Sequence, residues 1–155
     1  MATKDFSSKQ ENMVAEYLGW ETVVGSGSRN FHYGDLISLL WLGECKTHVS
    51  PQSKITFQKS HWEKIVDESM FHHRSPVLVV DNGTQKLKHT YCLFKYEFDS
   101  LDTSSAIEIP NKGKNINLTL DSLNDSAVYM AQDFDKYSNV YICTIERFKR
   151  FLEEG

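Results

Sequence analysis

Several things are missing from this chain of 155 residues. No apolar run approaches the ~18 residues that would suggest a membrane span. Residues 1–10 are polar and contain no apolar stretch of the kind a secretory leader needs, so the sequence reads as that of an intracellular, cytoplasmic protein. Cysteine is scarce. Cys45, Cys92 and Cys143 are odd in number, far apart and each set in an apolar run, which predicts buried free thiols in a reducing compartment. No Cys-x-x-Cys or His-x-x-x-His pair is present to chelate zinc.

A surplus of positive charge is also lacking. Seventeen Lys and Arg stand against 21 Asp and Glu, for a net charge of −4. Residues 1–98 carry 11 of each sign, and the whole deficit falls in residues 99–155, with 6 basic and 10 acidic residues. This balance does not advertise a nucleic-acid binder. It leaves room for one if basic residues cluster on one face, or if a carboxylate-rich site is neutralised by a divalent cation.

What remains is an ordinary globular composition, 40% hydrophobic and 25% charged, which excludes a disordered or fibrous chain. The length suits a single domain. Residues 8–18 predict a helix, with Met13, Val14, Tyr17 and Leu18 on one face and Gly19 as its stop. Residues 20–24 predict a strand, followed by a Gly-Ser loop. Residues 36–46 predict two strands of a hairpin whose turn lies near 38–40. Residues 56–70 predict a helix with Phe57, Trp62, Ile65, Val66 and Phe71 facing inward. Strands at 76–80 and 91–95 follow, joined through Asn82-Gly83. After a polar linker at 99–105 come strands at 115–120 and 137–144 and a closing amphipathic helix at 145–154. The alternation predicts an α/β fold: a core over residues 8–98 and a C-terminal elaboration of the same domain over 99–155.

Chemistry concentrates around Glu44-Cys45-Lys46. Alternation along a strand puts Glu44 and Lys46 on one face and turns Cys45 to the other, into the core. A carboxylate that can hold a divalent ion beside an ammonium that can orient water suits phosphodiester hydrolysis. Alone, the pair reads equally as an ion pair on the strand face. Asp35 stands nine residues before Glu44, and the hairpin would bring the two together as oxygen ligands for Mg2+ or Mn2+. Its simpler reading is a turn residue after Gly34. Glu11 lies three residues after Ser8, which also reads as a capping box. Lys54, Lys59, His61 and Lys64 could form a phosphate-facing strip or a solvated face. His72-His73 reads as a helix cap, and Trp41 and Trp62 as core.

Gly25-Ser26-Gly27, Gly34-Asp35 and Glu44-Cys45-Lys46, taken in order, resemble the PD-(D/E)XK nucleases, and most closely the archaeal and phage Holliday junction resolvases. Glu11, 24 residues before Asp35, matches the glutamate on that family's N-terminal helix. Residues 55–58 and 75–80 resemble the helix entry and the buried strand that follow. The resemblance covers residues 8–81. It implies a restriction-endonuclease-like core, a central mixed sheet flanked by helices. It also implies catalysis by Glu11, Asp35, Glu44 and Lys46. Mg2+ or Mn2+ would be held by Asp35, Glu44, the Cys45 carbonyl and Glu11. Ser26, Ser28, Arg29, Lys54, Gln58 and Lys59 would contact DNA, and the enzyme would act as a homodimer. The sequence departs from the family where Gly34 replaces a proline, where the Asp35–Glu44 interval is short with an apolar hairpin tip, where basic residues near the N-terminus are sparse, and after Phe98, where the tail has no counterpart. A general or nicking nuclease of the same fold, or a DNA-binding module that keeps the fold without catalysis, are the alternative readings.

Overall fold

The computed structural model describes residues 2–23 and 34–155, with side chains from Phe6 onward. Helix α1 (Ala2–Leu18) leads into the short strands β1 (Glu21–Thr22) and β2 (Leu36–Ile37), and then into β3 (Trp41–Lys46). Strand β4 (Lys54–Phe57), helix α2 (Lys59–Phe71), β5 (Ser75–Asp81) and β6 (Thr90–Phe94) follow. The C-terminal third adds β7 (Ile107–Ile109), β8 (Ile116–Thr119), β9 (Tyr129–Ala131), β10 (Val140–Thr144) and helix α3 (Ile145–Glu154). Eight strands form one mixed sheet in the order β1-β2-β3-β5-β6-β10-β9-β7, and β4 pairs with β8 in a separate ribbon. β3 and β5 run parallel, linked through β4 and α2, whereas β6 pairs antiparallel with both β5 and β10. The protein is thus an α/β fold with a large mixed sheet flanked by three helices, compatible with a restriction-endonuclease-like core.

Alternation in the central strands builds two cores. Cys45, Val77, Val79, Cys92, Phe94, Tyr141 and Cys143 point to the face covered by α1 and α3, where they meet Val14, Leu18, Phe148 and Phe151. Leu42, Leu78, Val80, Leu93 and Ile142 point to the other face, against Trp62 and Ile65 of α2 and the apolar side of the β4–β8 ribbon. The strands buried on both faces read as unbroken apolar runs for this reason. All three cysteines are buried free thiols, as expected, and burial pushes the thiols of Cys45, Cys92 and Cys143 above the usual range. Trp41 lies in an aromatic cluster, its ring 5.2 Å from Phe148 and 5.7 Å from Phe98.

Three sequence expectations need correction. α2 begins at Lys59, because Ile55 and Phe57 alternate inward against Ile116 and Leu118 as strand β4. Phe71 faces solvent with 73% of its surface exposed, since α2 ends there and His73 takes the left-handed conformation (φ 56°) that turns the chain to β5. The segment 99–105 is not simply polar linker, because Leu101 packs into the α1–α3 core. Strands β7 and β9, three residues each, carry no periodicity strong enough to read from sequence.

β10 hydrogen-bonds along β6, and α3 supplies Phe148 and Phe151 to the first core. A chain cut after Phe98 loses both and exposes Phe94 and Cys92. Urea titration followed by tryptophan fluorescence should show no cooperative transition for residues 1–98, against a single sigmoid for the whole chain. A cooperative transition in the fragment would refute this role for the C-terminal third.

Candidate active site

β2 is short, and that fact creates the site. Leu36 pairs with Gly43, and among the described residues no strand pairs with Glu44–Lys46 on that side of β3. Asp35 covers the first exposed donor. Its backbone N–H donates to the Gly43 carbonyl at 2.7 Å, and its Oδ2 accepts the Cys45 N–H at 2.9 Å. In a ladder a residue offers its N–H and C=O to the same neighbour, so the Cys45 carbonyl is turned to the same edge. Gly34 sets up this geometry with φ +73°, where a Cβ would come within 2.7 Å of the Gly43 oxygen. Its N–H donates to Glu68 Oε1 at 3.0 Å. Proline can adopt neither that φ nor that hydrogen bond, which accounts for glycine at this position.

Glu44 and Lys46 do share a face, and they pair at 3.2 Å through Glu44 Oε2. Lys64, from α2, reaches the same oxygen at 3.4 Å and Glu68 at 3.9 Å, a helical i,i+4 neighbour. Burial works against the Lys64 charge, but Glu44 and Glu68 outweigh it and raise its pKa. The other oxygen, Glu44 Oε1, is buried with no hydrogen-bond partner among the described residues. His61 borders this group; its pKa is lowered by burial and by the positive charge of Lys46, so it stands neutral near pH 7.

Glu11 joins from the opposite side. Ser8 and Glu11 lie inside α1, which begins at Ala2, so the capping-box alternative is excluded. The Glu11 carboxyl is pushed up to about 7 by burial first, and then by the negative charges of Asp35 and Glu44, with Lys46 partly offsetting them. Its neighbour Gln10 is fully buried and donates to the Lys46 carbonyl at 2.7 Å, tying α1 to the end of β3. The structure therefore brings Glu11, Asp35, Glu44 and Lys46 together from α1, β2 and β3, and adds Lys64.

A hard divalent cation suits this donor set: three carboxylates, a backbone carbonyl, and a buried carboxylate oxygen lacking a partner. Among the described residues, however, no three His, Cys, Asp or Glu side chains already converge as a metal cage. Lys46 and Lys64 occupy Glu44 Oε2 instead.

The residues expected to contact DNA divide. Ser26, Ser28 and Arg29 lie outside the described residues. Lys54 is exposed on β4, opposite Thr119, and Gln58 is exposed at the N-cap of α2. Lys59 turns away to the carbonyls of Gly113 (3.0 Å) and Asp133 (3.5 Å), so the basic strip is split and only His61 and Lys64 face the site. Glu68 and Gln10 escaped the sequence reading. The Lys64–Glu68 spacing is a visible signal for the first, whereas a lone glutamine on a helix offers none. No protein-family model matches the chain, and a search of curated proteins returns no relative.

Glu11 makes the site's charge testable. Its folded pKa of about 7 lies above the ordinary 4.5, so the folded chain binds more protons than the unfolded chain between those values. Its contribution is intact at low pH and is lost as pH rises toward 7. Glu11→Gln should leave Tm near that of wild type at pH 4.5. In chelator at pH 8 it should stabilise by about 1–2 kcal/mol, a figure discounted for the half-exposed side chain. Equal destabilisation at both pH values would refute the crowding of these carboxylates.

Proposed function

We propose that this protein is a metal-dependent DNA endonuclease of the PD-(D/E)XK kind, acting on branched DNA as a homodimer with Mg2+ or Mn2+. The observation that carries this reading is the convergence of Glu11, Asp35 and Glu44 with two lysines on the open edge of β3. A divalent cation bound by Asp35, Glu44, the Cys45 carbonyl and Glu11 would polarise the phosphate and acidify water. The protein's own part is positioning and charge. Asp35 is anchored by the Cys45 N–H, which fixes its carboxylate beside Glu44. Lys46 stands at the mouth of the site, partly exposed, where its ammonium can orient a nucleophilic water and offset negative charge gathering on the phosphate. Lys64 shares Glu44 Oε2 with Lys46, so releasing Lys46 toward DNA leaves Glu44 paired.

The homodimer rests on an apolar surface at the opposite end of β3. Leu39, Leu40, Met70, Phe71, Tyr96 and Tyr137 are all exposed. The Leu40 carbonyl accepts the Ser75 N–H, and Tyr96 packs edge-on against Trp41, so the turns meet on one side of the sheet. Six large side chains of this kind expose on the order of 800 Å2, the area each partner buries in a standard interface. Paired cuts across a junction need such a symmetric arrangement.

One observation favours a non-catalytic DNA-binding module: Glu44 is already neutralised by two lysines. Incubating the protein with labelled four-way junction and matched linear duplex, with and without Mg2+ or Mn2+, separates the readings. The nuclease gives symmetric metal-dependent junction cuts, and Lys46→Ala lowers the rate by about 100-fold or more. Cutting of linear duplex alone retains the nuclease and discards junction selectivity. No cleavage by folded protein with metal moves the function to binding.

The dimer is tested separately by gel filtration. The 17.9 kDa chain should elute at twice its mass, and Phe71→Asp should convert it to monomer without lowering Tm. A wild-type monomer at micromolar concentration would contradict the interface.

A further inference from the structure

On the face of the sheet opposite Glu44 and Lys46, beneath the N-terminal half of α1, lies a second polar group that the proposed nuclease chemistry does not use. β3 and β5 run in parallel register as far as Lys46 beside Val80, and Thr47 and Asp81 each follow that pair by one residue. Alternation places Asp81 on the α1 side, with Val77 and Val79. Asp81 is completely buried. Its Oδ2 accepts the Gln85 N–H at 2.6 Å. Gln85 then donates through Nε2 to the Phe6 carbonyl on α1 at 2.6 Å. One helical turn further along α1, Gln10 donates through Nε2 to the Lys46 carbonyl at 2.7 Å, next to Thr47. These contacts close a ring from α1 to the end of β3, across to the end of β5, and back to α1.

Four oxygens of this ring are buried and have no hydrogen-bond partner among the described atoms: Gln10 Oε1, Thr47 Oγ1, Asp81 Oδ1 and Gln85 Oε1. The amide orientations are fixed by chemistry, because each Nε2 is committed to a backbone carbonyl and the oxygen must be the atom left over. The set is made of acceptors, with one hydroxyl. It contains one carboxylate, and among the described residues no basic side chain pairs with it. A buried carboxylate without a counter-charge is costly. A water molecule donates two hydrogen bonds and no charge. A hard cation bound among them would take lone pairs from these acceptors and neutralise Asp81.

We infer that Gln10, Thr47, Asp81 and Gln85 form a structural site for a monovalent hard cation, Na+ or K+. One carboxylate with neutral amide and hydroxyl oxygens balances a single positive charge, whereas the proposed catalytic site offers three carboxylates to a divalent ion. The ion clamps α1 to the ends of β3 and β5. Gln10 is adjacent to Glu11, so the clamp sets where that carboxylate stands relative to Glu44. The inference is independent of the nuclease reading, since its readout is stability.

The test is thermal unfolding in EDTA, at constant ionic strength, with choline chloride replaced stepwise by NaCl or by KCl. Tm should rise saturably with Na+ or K+, on the order of 5 °C at saturation, and the more effective ion identifies the occupant. Asp81→Asn should abolish the saturable rise while Lys46→Ala, which keeps the backbone carbonyl, should retain it. Should Asp81→Asn fail to fold, Thr47→Val takes its place and should weaken the apparent affinity. Thallium anomalous scattering between Gln10 and Asp81 in crystals soaked with Tl+ would locate the site directly. Identical Tm in choline, sodium and potassium, a response confined to divalent ions, or an unchanged response in Asp81→Asn would each overturn the inference.

Discussion

The Cys45 N–H faces the edge of β3 where β2 has stopped pairing, and Asp35 Oδ2 accepts it at 2.9 Å. An unpaired strand edge is a liability, and among the described residues a side chain, not a strand, meets this N–H. The consequence is electrostatic. Sealing the edge with a carboxylate draws negative charge to Glu44, and Glu11 is brought to the same place by α1. Burial first, and then the charges of Asp35 and Glu44, raise the pKa of Glu11 there. Lys46 and Lys64 relieve part of it through one oxygen of Glu44, and the other oxygen has no partner among the described residues.

The supporting structure is arranged around that edge. Gly34 can present Asp35 because its positive φ and its N–H to Glu68 hold the turn. Glu68 also draws Lys64 along α2 toward Glu44. α2 is held in turn by Trp62 and Ile65 in the second core, and Trp62 Nε1 donates to the buried Asp135 at 2.9 Å. On the other face, Gln10 and the polar ring around Asp81 fasten α1. The site therefore depends on both layers of the fold, although its residues lie within one hairpin and two helices.

Much of this was legible in the sequence where burial and spacing speak strongly. The buried strand after Ser75 and the closing helix over Ile145–Glu154 follow from apolar patterning, whereas the turn near 38–40 carries no Gly, Pro or Asn and is placed only by the length of the apolar run. The meeting of Asp35 with Glu44 follows from the hairpin. Other features depend on long-range pairing that no local pattern encodes. β4 reads as the start of a helix until β8, some sixty residues later, supplies its partner. Ser8-x-x-Glu11 reads as a capping box until α1 is seen to begin six residues earlier. Lys59 reads as part of a basic strip until the loops around Gly113 and Asp133 take its ammonium. Phe71 reads as inward because its spacing from Trp62 and Ile65 fits a helix face, yet the helix stops at that residue.

Calorimetric titration of Mn2+ into the protein at pH 7.5 tests the divalent-metal site proposed at this crowded edge. Wild type should give a saturable heat that is lost in Asp35→Asn and in Glu44→Gln, with both variants folded. Protons should be released on binding as Glu11 ionises, seen as a dependence of the heat on buffer ionisation enthalpy. Absence of binding to the wild type, or binding unchanged in both variants, would contradict it.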